Sequence, residues 1–422
     1  MLNGPVTKQG TAAKSAKRGR GKRAQVLEVA AKTLNSFGVS RASLPNVAEQ
    51  LGVSRAALYY YFEDQEDLVF QSYRRSCEIL AERLDDAVET GGAPMAVIES
   101  FIDGVLDPHA AEIAALSDLA YLRPERRNII FERLNVIKTR LAQLLTTGAA
   151  TGELRPCASG VIAAAILGLV SWPSVARTWR SSATLTHQDM VDAIKSLLRE
   201  GIAADRTAPL VYRSLDLHQR EMAVGHVFDA GALAAAKQES LLAAASWLFN
   251  LKGVDATSLD EVAMRLGVTK KVIYHNLGDK KTLVAECYRR SFRFYEDVAK
   301  QVLAYQGSRI EAIITATCTF AEANLREDIA PLAPISGVEA LSPGVQDEIN
   351  ETSIWLMDRF LDLYKLGQDD GSIRPMNARA IVAVNPGSFE WLPKWYDALS
   401  DDERAIAPRE LAQLNHIGLL AI

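Results

Sequence analysis

The sequence predicts an all-α protein built from two tandem copies of one helical unit. Three observations carry that expectation. Apolar residues recur at helical spacing nearly throughout, and alternating strand-type runs are absent. A long block beginning at Leu34 returns without a gap from Phe249. The 422-residue length, with 48% apolar residues, exceeds what a single core usually supports.

The elements of the first copy follow in order. Val26, Leu27, Ala30, Ala31 and Leu34 keep the spacing of an amphipathic helix, which Gly38 terminates. Ser43 is a good N-cap for a short second helix, Gly52 breaks that helix, and Ser54 caps a third. Val47, Ala48, Leu51, Val53 and Leu58 supply a shared core for the two short helices, which is what a helix-turn-helix requires. At an offset of 215, Gly38, Ser43, Leu44, Val47, Ala48, Leu51, Gly52, Val53, Tyr59, Asp64 and Leu68 return as Gly253, Ser258, Leu259, Val262, Ala263, Leu266, Gly267, Val268, Tyr274, Asp279 and Leu283. "YRRS" occurs at Tyr73–Ser76 and again at Tyr288–Ser291. Further on, the offset becomes 219, with Pro124 meeting Pro343, "GELRP" (152–156) meeting "GSIRP" (371–375), and Trp172 meeting Trp391. The duplication therefore covers the whole unit.

The net charge of −5 is unevenly placed. Residues 1–23 hold Lys8, Lys14, Lys17, Arg18, Arg20, Lys22 and Arg23 without an acid, so the arm carries +7 and the remainder −12. Such an arm cannot bury enough apolar surface to fold alone and is expected to be disordered until it meets a polyanion. Cys77, Cys157, Cys287 and Cys318 are scattered, which argues against a disulfide framework or a zinc site and fits free thiols in a reducing cytoplasm. His109, His187, His218, His226, His275 and His416 lack carboxylate or cysteine partners at motif spacing, and no GxGxxG, GxxxxGK, HExxH or GxSxG motif is present, so neither an enzyme nor a cofactor is expected. The N-terminus lacks a signal-peptide stretch, and the longest apolar run, Val161–Trp172, is short for a membrane span. A cytoplasmic protein without a membrane partner is expected.

"SLPNVAEQLGVSRAALYYYF" resembles the DNA-binding signature of the tetracycline-repressor (TetR) family, and the resemblance extends over both units. It implies a ligand-responsive regulator, a repressor released from a double-stranded operator by a small, mainly apolar effector. The implied division is an arm over 1–23, a first helix-turn-helix module over 24–70, a first effector and dimerisation bundle over 71–204, a linker over 205–235, a second module over 236–285 and a second bundle over 286–422.

Carried over by motif, Ser54–Tyr60 is the recognition helix. Ser43, Ser54, Tyr59 and Tyr60 take mainly phosphate contacts, and Arg55 reaches either a guanine edge or a phosphate. Tyr61 packs the module. Arg18, Arg20, Lys22 and Arg23 of the arm are further DNA contacts. In the second copy the corresponding set is Ser258, Thr269, Lys270, Lys271, Tyr274, His275 and the family lysine, Lys280. Gln65 stands where the first copy would have that lysine, and the acids around it bring residues 43–68 to −4, which the arm is expected to offset; residues 258–283 carry +2. A helical sensor or scaffold whose modules have degenerated remains the alternative.

In each bundle the resemblance assigns the last two long helices to dimerisation, about Ser159–Trp179 and His187–Ala203 in the first unit. Tyr121, Trp172, Phe320 and Trp391 are candidate walls of an effector pocket, although nothing polar converges on them in the sequence and plain core is the simpler reading of each. The two units of one chain are expected to pair as a pseudo-dimer, with a homodimer of chains left open.

Overall fold

The computed structural model describes residues 9–177, 184–213, 215, 230–333, 338 and 341–422; these carry α-helices, short 3-10 turns and isolated β-bridges but no strand. In the first unit α1 (Gln9–Arg41) is followed by α2 (Leu44–Gln50), α3 (Arg55–Tyr59), α4 (Gln65–Thr90), α5 (Pro94–Val105), α6 (Pro124–Thr151), α7 (Ser159–Ala176) and α8 (His187–Glu200). Gly38 (φ 66°, ψ −173°) leaves helical geometry inside α1, a left-handed φ that glycine adopts without a Cβ clash. The Oγ of Ser43 accepts from Asn46 N, that of Ser54 from Ala57 N, and Asp64 Oδ1 from Asp67 N, so each short helix and α4 start on a side-chain cap.

From Gln9 onward the basic arm continues α1. Its Ala, Lys and Arg residues are strong helix formers, and adding turns to a helix already anchored by Val26 and Leu27 avoids the cost of nucleation. Residues 1–8, and the side chains of Arg18 and Arg20, lie outside what the structure describes.

The second unit repeats the order with α9 (Ala230–Lys252), α10 (Leu259–Arg265), α11 (Lys270–Leu277), α12 (Lys280–Leu303), α13 (Arg309–Leu325), α14 (Pro343–Asp369), α15 (Ala378–Val384) and α16 (Asp401–Ile417). α9 begins inside the segment expected to be linker. One element differs in kind between copies. α7 is continuous over 18 residues, whereas its counterpart stops at Val384 and goes on as a 3-10 turn, Asn385–Ser388, and further turns. Pro386 supplies no amide hydrogen for a helical bond and stands where α7 has Leu167.

The bundles of the two units share one continuous apolar core, in which α7 and α8 meet α15, α16 and the turn after α15. α7 is long and apolar enough to cross a membrane, but most of it is buried in this core. The contacts between units are reciprocal. Arg155 Nε donates to Gly418 O at 2.6 Å, and Arg374 Nε to Gly201 O at 2.8 Å. Leu154 bridges Leu420, and Ala203 bridges Ile373. Arg155 and Arg374 are the arginines of "GELRP" and "GSIRP", so equivalent groups reach across in both directions, as in an isologous dimer interface. Two glycines complete the pattern. A Cβ on Gly168 would collide with Gly387 O and stand 2.9 Å from Trp391 Cδ1, while one on Gly387 would stand 2.6 Å from Trp172 Cβ.

Candidate nucleic-acid interface and ligand cavity

The first module has its own core of Val26, Leu27, Ala30, Leu44, Val47, Ala48, Leu58, Phe62 and Leu68, against which Tyr61 packs half-buried. With Leu58 buried, the other face of α3 is free: Arg55 is exposed, Tyr59 is 56% exposed and Tyr60 83%. Ser54 and Ser43 sit at the starts of α3 and α2. Lys22 is exposed, whereas Arg23 turns back to donate to Gln71 Oε1 at 2.9 Å and lies over the Phe62 ring.

The acids beside Gln65 are paired with arginines of the bundle. Arg123 pairs with Asp64 at 3.1 Å and Glu66 at 2.8 Å, and Arg126 with Glu66 at 2.8 Å, Asp67 at 3.4 Å and Glu63 at 3.5 Å. Both arginines lie nearly 60 residues downstream, at the start of α6, so spacing along the chain held no sign of them. They also fasten the DNA-binding module to the bundle. "YRRS" adds to the fastening: Arg75 donates to Glu112 O, and Ser76 Oγ accepts from Ala114 N; in the second unit Arg290 donates to Ala330 O, and Ser291 Oγ accepts from Leu332 N.

In the second module Ser258 caps α10 through a reciprocal capping box with Glu261, and Thr269 opens α11 without a side-chain cap bond. Lys271, Tyr274 and His275 are exposed. Lys270 Nζ pairs with Asp260 Oδ2 at 2.8 Å in a solvated position. Lys280 is half-buried and donates to Asp255 O at 3.3 Å, and burial lowers its pKa. Gln65 makes a comparable bond in the first module, to Val39 O at 2.6 Å, one position earlier in the repeat. Lys280 thus holds the chain just past α9, and Gln65 the turn that follows Gly38.

The modules meet at equivalent residues. Ser40 N donates to Asp255 Oδ2 at 2.9 Å, and these positions are 215 apart. Gly253 is pressed against Asp118, whose carboxyl carries a raised pKa, desolvation outweighing the nearby Lys394. Lys394 Nζ in turn donates to Phe249 O at 3.5 Å.

A cavity of about 180 Å³ lies in the second bundle, between α12, α13, α14 and the turn after α15, with Trp172 and Ala176 of α7 closing it from the first unit. Phe320 stands at the centre of an aromatic group, edge-on to Tyr295 (5.5 Å) and Phe360 (5.8 Å) and stacked on Phe389 (5.7 Å). Two of the expected wall residues, Trp172 and Phe320, line this cavity. The other two do not. Tyr121 sits in a 3-10 turn between the modules, where burial and the neighbouring Asp64 and Asp255 raise its pKa. Trp391 stacks on Trp395 and faces Gly168 at the unit interface, as Trp172 faces Gly387. Sequence reasoning missed Glu390, a 4% exposed carboxylate in the cavity wall that receives Tyr295 OH at 3.4 Å; burial lifts its pKa to about 8, partly offset by Tyr295 and Asn324. Its only sign in the sequence is an acid within an otherwise apolar "SFEWLPKW" run.

A helix-turn-helix fastened to a helical bundle, present twice in one chain, defines a DNA-binding transcription regulator. The family described as bacterial regulatory proteins, tetR family, matches residues 26–71 and again 241–287, and a tetracyclin repressor-like C-terminal domain matches 95–202. The chain belongs to the TetR family as a tandem duplication. It is similar to the HTH-type transcriptional regulator TtgR of Pseudomonas putida, 27% identical over 146 residues (31% of this chain, 70% of that protein), and to the HTH-type transcriptional repressor KstR2 of Rhodococcus jostii, 23% identical over 192 residues (44% and 92%). Among solved structures it resembles AibR in complex with isovaleryl coenzyme A and operator DNA, at a TM-score of 0.36 and 21% identity, over 42% of this chain and 97% of that one. These relatives are regulators rather than enzymes.

Proposed function

We propose that the chain acts as a self-contained pseudo-dimeric repressor, binding one operator through both modules and leaving it when a small, mainly apolar molecule enters the second bundle. The observation that carries this is the reciprocal pair Arg155–Gly418 and Arg374–Gly201: each unit spends its dimerising helices on the other unit of the same chain. A tether makes the local concentration of the partner unit on the order of millimolar, which favours this pairing over a second chain. In this reading Ser43, Ser54, Arg55, Tyr59 and Tyr60, with Lys22 and the arm, serve one half-site, and Ser258, Thr269, Lys271, Tyr274 and His275 serve the other. The recognition helices differ, so the operator has unlike half-sites about one helical turn or a multiple apart. Light scattering and footprinting test it. A 46.1 kDa monomer protecting one asymmetric site is expected. A dimer of chains on a perfect palindrome, with the second motif dispensable, would overturn it.

A second reading, a sensor that no longer reads DNA, draws on Lys270 and Lys280 being engaged within their own module. Fluorescence anisotropy at varied salt separates the two, because a specific regulator discriminates its operator from random duplex.

A further inference from the structure

Among the described residues, the positions of the first unit that answer to this cavity are filled by buried core side chains. α5 and α13 begin 215 residues apart, at Pro94 and Arg309, and α6 and α14 begin 219 apart, so positions correspond throughout. Ala316 and Phe320 of the cavity answer to Phe101 and Val105, and Phe360 and Tyr364 to Leu141 and Leu145, and these four residues of the first unit are buried core. Phe101 fills the space that Ala316 leaves open. Glu390 answers to Ser171, whose hydroxyl is spent on Leu167 O.

Two polar atoms of the second cavity's lining are left without a hydrogen-bond partner among the described residues: Glu390 Oε2 and Tyr364 OH. Other polar groups there are spent, Thr317 on Ile313 O and Ser291 on Cys287 O. A buried acceptor without a donor costs free energy that a ligand bearing the donor recovers. Around it stand the faces and edges of Phe320, Phe389, Tyr295 and Phe360, and aromatic faces attract a desolvated cation. An engineered apolar cavity of about 150 Å³ holds a benzene, so a ligand of one or two rings fits here.

Resting on the reading of this cavity as the effector site, we propose that it takes a compact aromatic amine, one per chain, whose protonated nitrogen donates to Glu390 Oε2 while its ring packs on Phe320. The carboxylate and the ammonium neutralise each other, so the desolvated acid ceases to be unpaired. The first unit binds none, because its equivalent space is core. Trp172 places the first unit against the same ligand, and one molecule touches both halves of the pseudo-dimer.

The test is isothermal titration of the full chain with three probes of matched size: 2-phenylethylamine, propylbenzene and 4-phenyl-2-butanone. The amine is expected to bind at least about tenfold more tightly than the hydrocarbon, at a stoichiometry of one. Glu390→Gln should abolish that preference while leaving propylbenzene binding unchanged, which also reports that the variant is folded. Ala316→Phe, which copies the first unit's packing, should block all three. Equal affinities for amine and hydrocarbon, or a ketone that binds best, would overturn the amine proposal and leave the cavity as the effector site. If no probe binds, or all bind Ala316→Phe unchanged, the cavity is not an effector site and both readings fall.

Discussion

Gly168→Ala puts two effects of opposite sign against each other at the centre of the unit interface. Within a helix such as α7, replacing glycine by alanine ordinarily gains up to about 1 kcal/mol, because the unfolded chain loses freedom and the helix does not. Here the added methyl would collide with Gly387 O, a backbone atom that no rotamer change can move, and stand 2.9 Å from Trp391 Cδ1. Forcing a methyl into a packed site costs about 1–3 kcal/mol, and a rigid backbone neighbour puts this case toward the upper end. The collision wins, with a net loss of about 1–2 kcal/mol. Gly344→Ala is the matched control: nothing lies within 4 Å of its Cβ, and it should be neutral or slightly stabilising. Urea unfolding reads both, and small-angle scattering reads whether the units of Gly168→Ala separate. A Gly168→Ala chain as stable as the parent or more so, with unchanged dimensions, would refute the close approach of α7 to the turn at Gly387 and with it the pairing of the units.

Three further outcomes are expected. Deleting residues 1–22 should weaken binding to every duplex and flatten log affinity against log salt, the slope shrinking by about 0.9 for each phosphate the arm no longer neutralises; an unaltered slope would show that the arm leaves phosphates alone. Arg55→Ala, if its guanidinium reads a base, should cost about 1–3 kcal/mol and relax preference at one operator position, whereas Tyr60→Phe should weaken all sequences alike; a uniform loss from both makes Arg55 a phosphate contact. Glu390 has a folded pKa raised to about 8 from an ordinary 4.5, so its neutral form favours folding below 4.5 and that contribution is lost as pH rises through 8. At about 1.36 kcal/mol per unit the loss is at most ~5 kcal/mol. Parent and Glu390→Gln urea midpoints should therefore converge toward pH 5 and diverge toward pH 8, and parallel curves would show that the carboxyl is not buried as described.

The duplication, the helix-turn-helix, its caps and the exposed face of α3 were legible in the sequence because each rests on a local pattern or on matching one stretch with another: Ser43 and Ser54 cap amides three positions on, and the alternation of Leu58 with Tyr59 and Tyr60 follows from one helical turn.

Groups that act across the fold were not legible. Arg123 and Arg126 neutralise acids nearly 60 residues away, and the recurring "GELRP" and "GSIRP" could be seen to repeat without showing that each arginine binds the opposite unit's glycine carbonyl. Tyr121 and Trp391 had the composition of pocket walls, but which aromatic faces a cavity depends on where a chain turns. By itself the sequence determined the periodicities, caps and repeat, which are local or depend on matching one stretch with another. Only the tertiary structure decided that Phe101 closes one bundle while Ala316 leaves the other open around Glu390, because a cavity is the volume that distant side chains together fail to fill, and no single stretch of chain contains that sum.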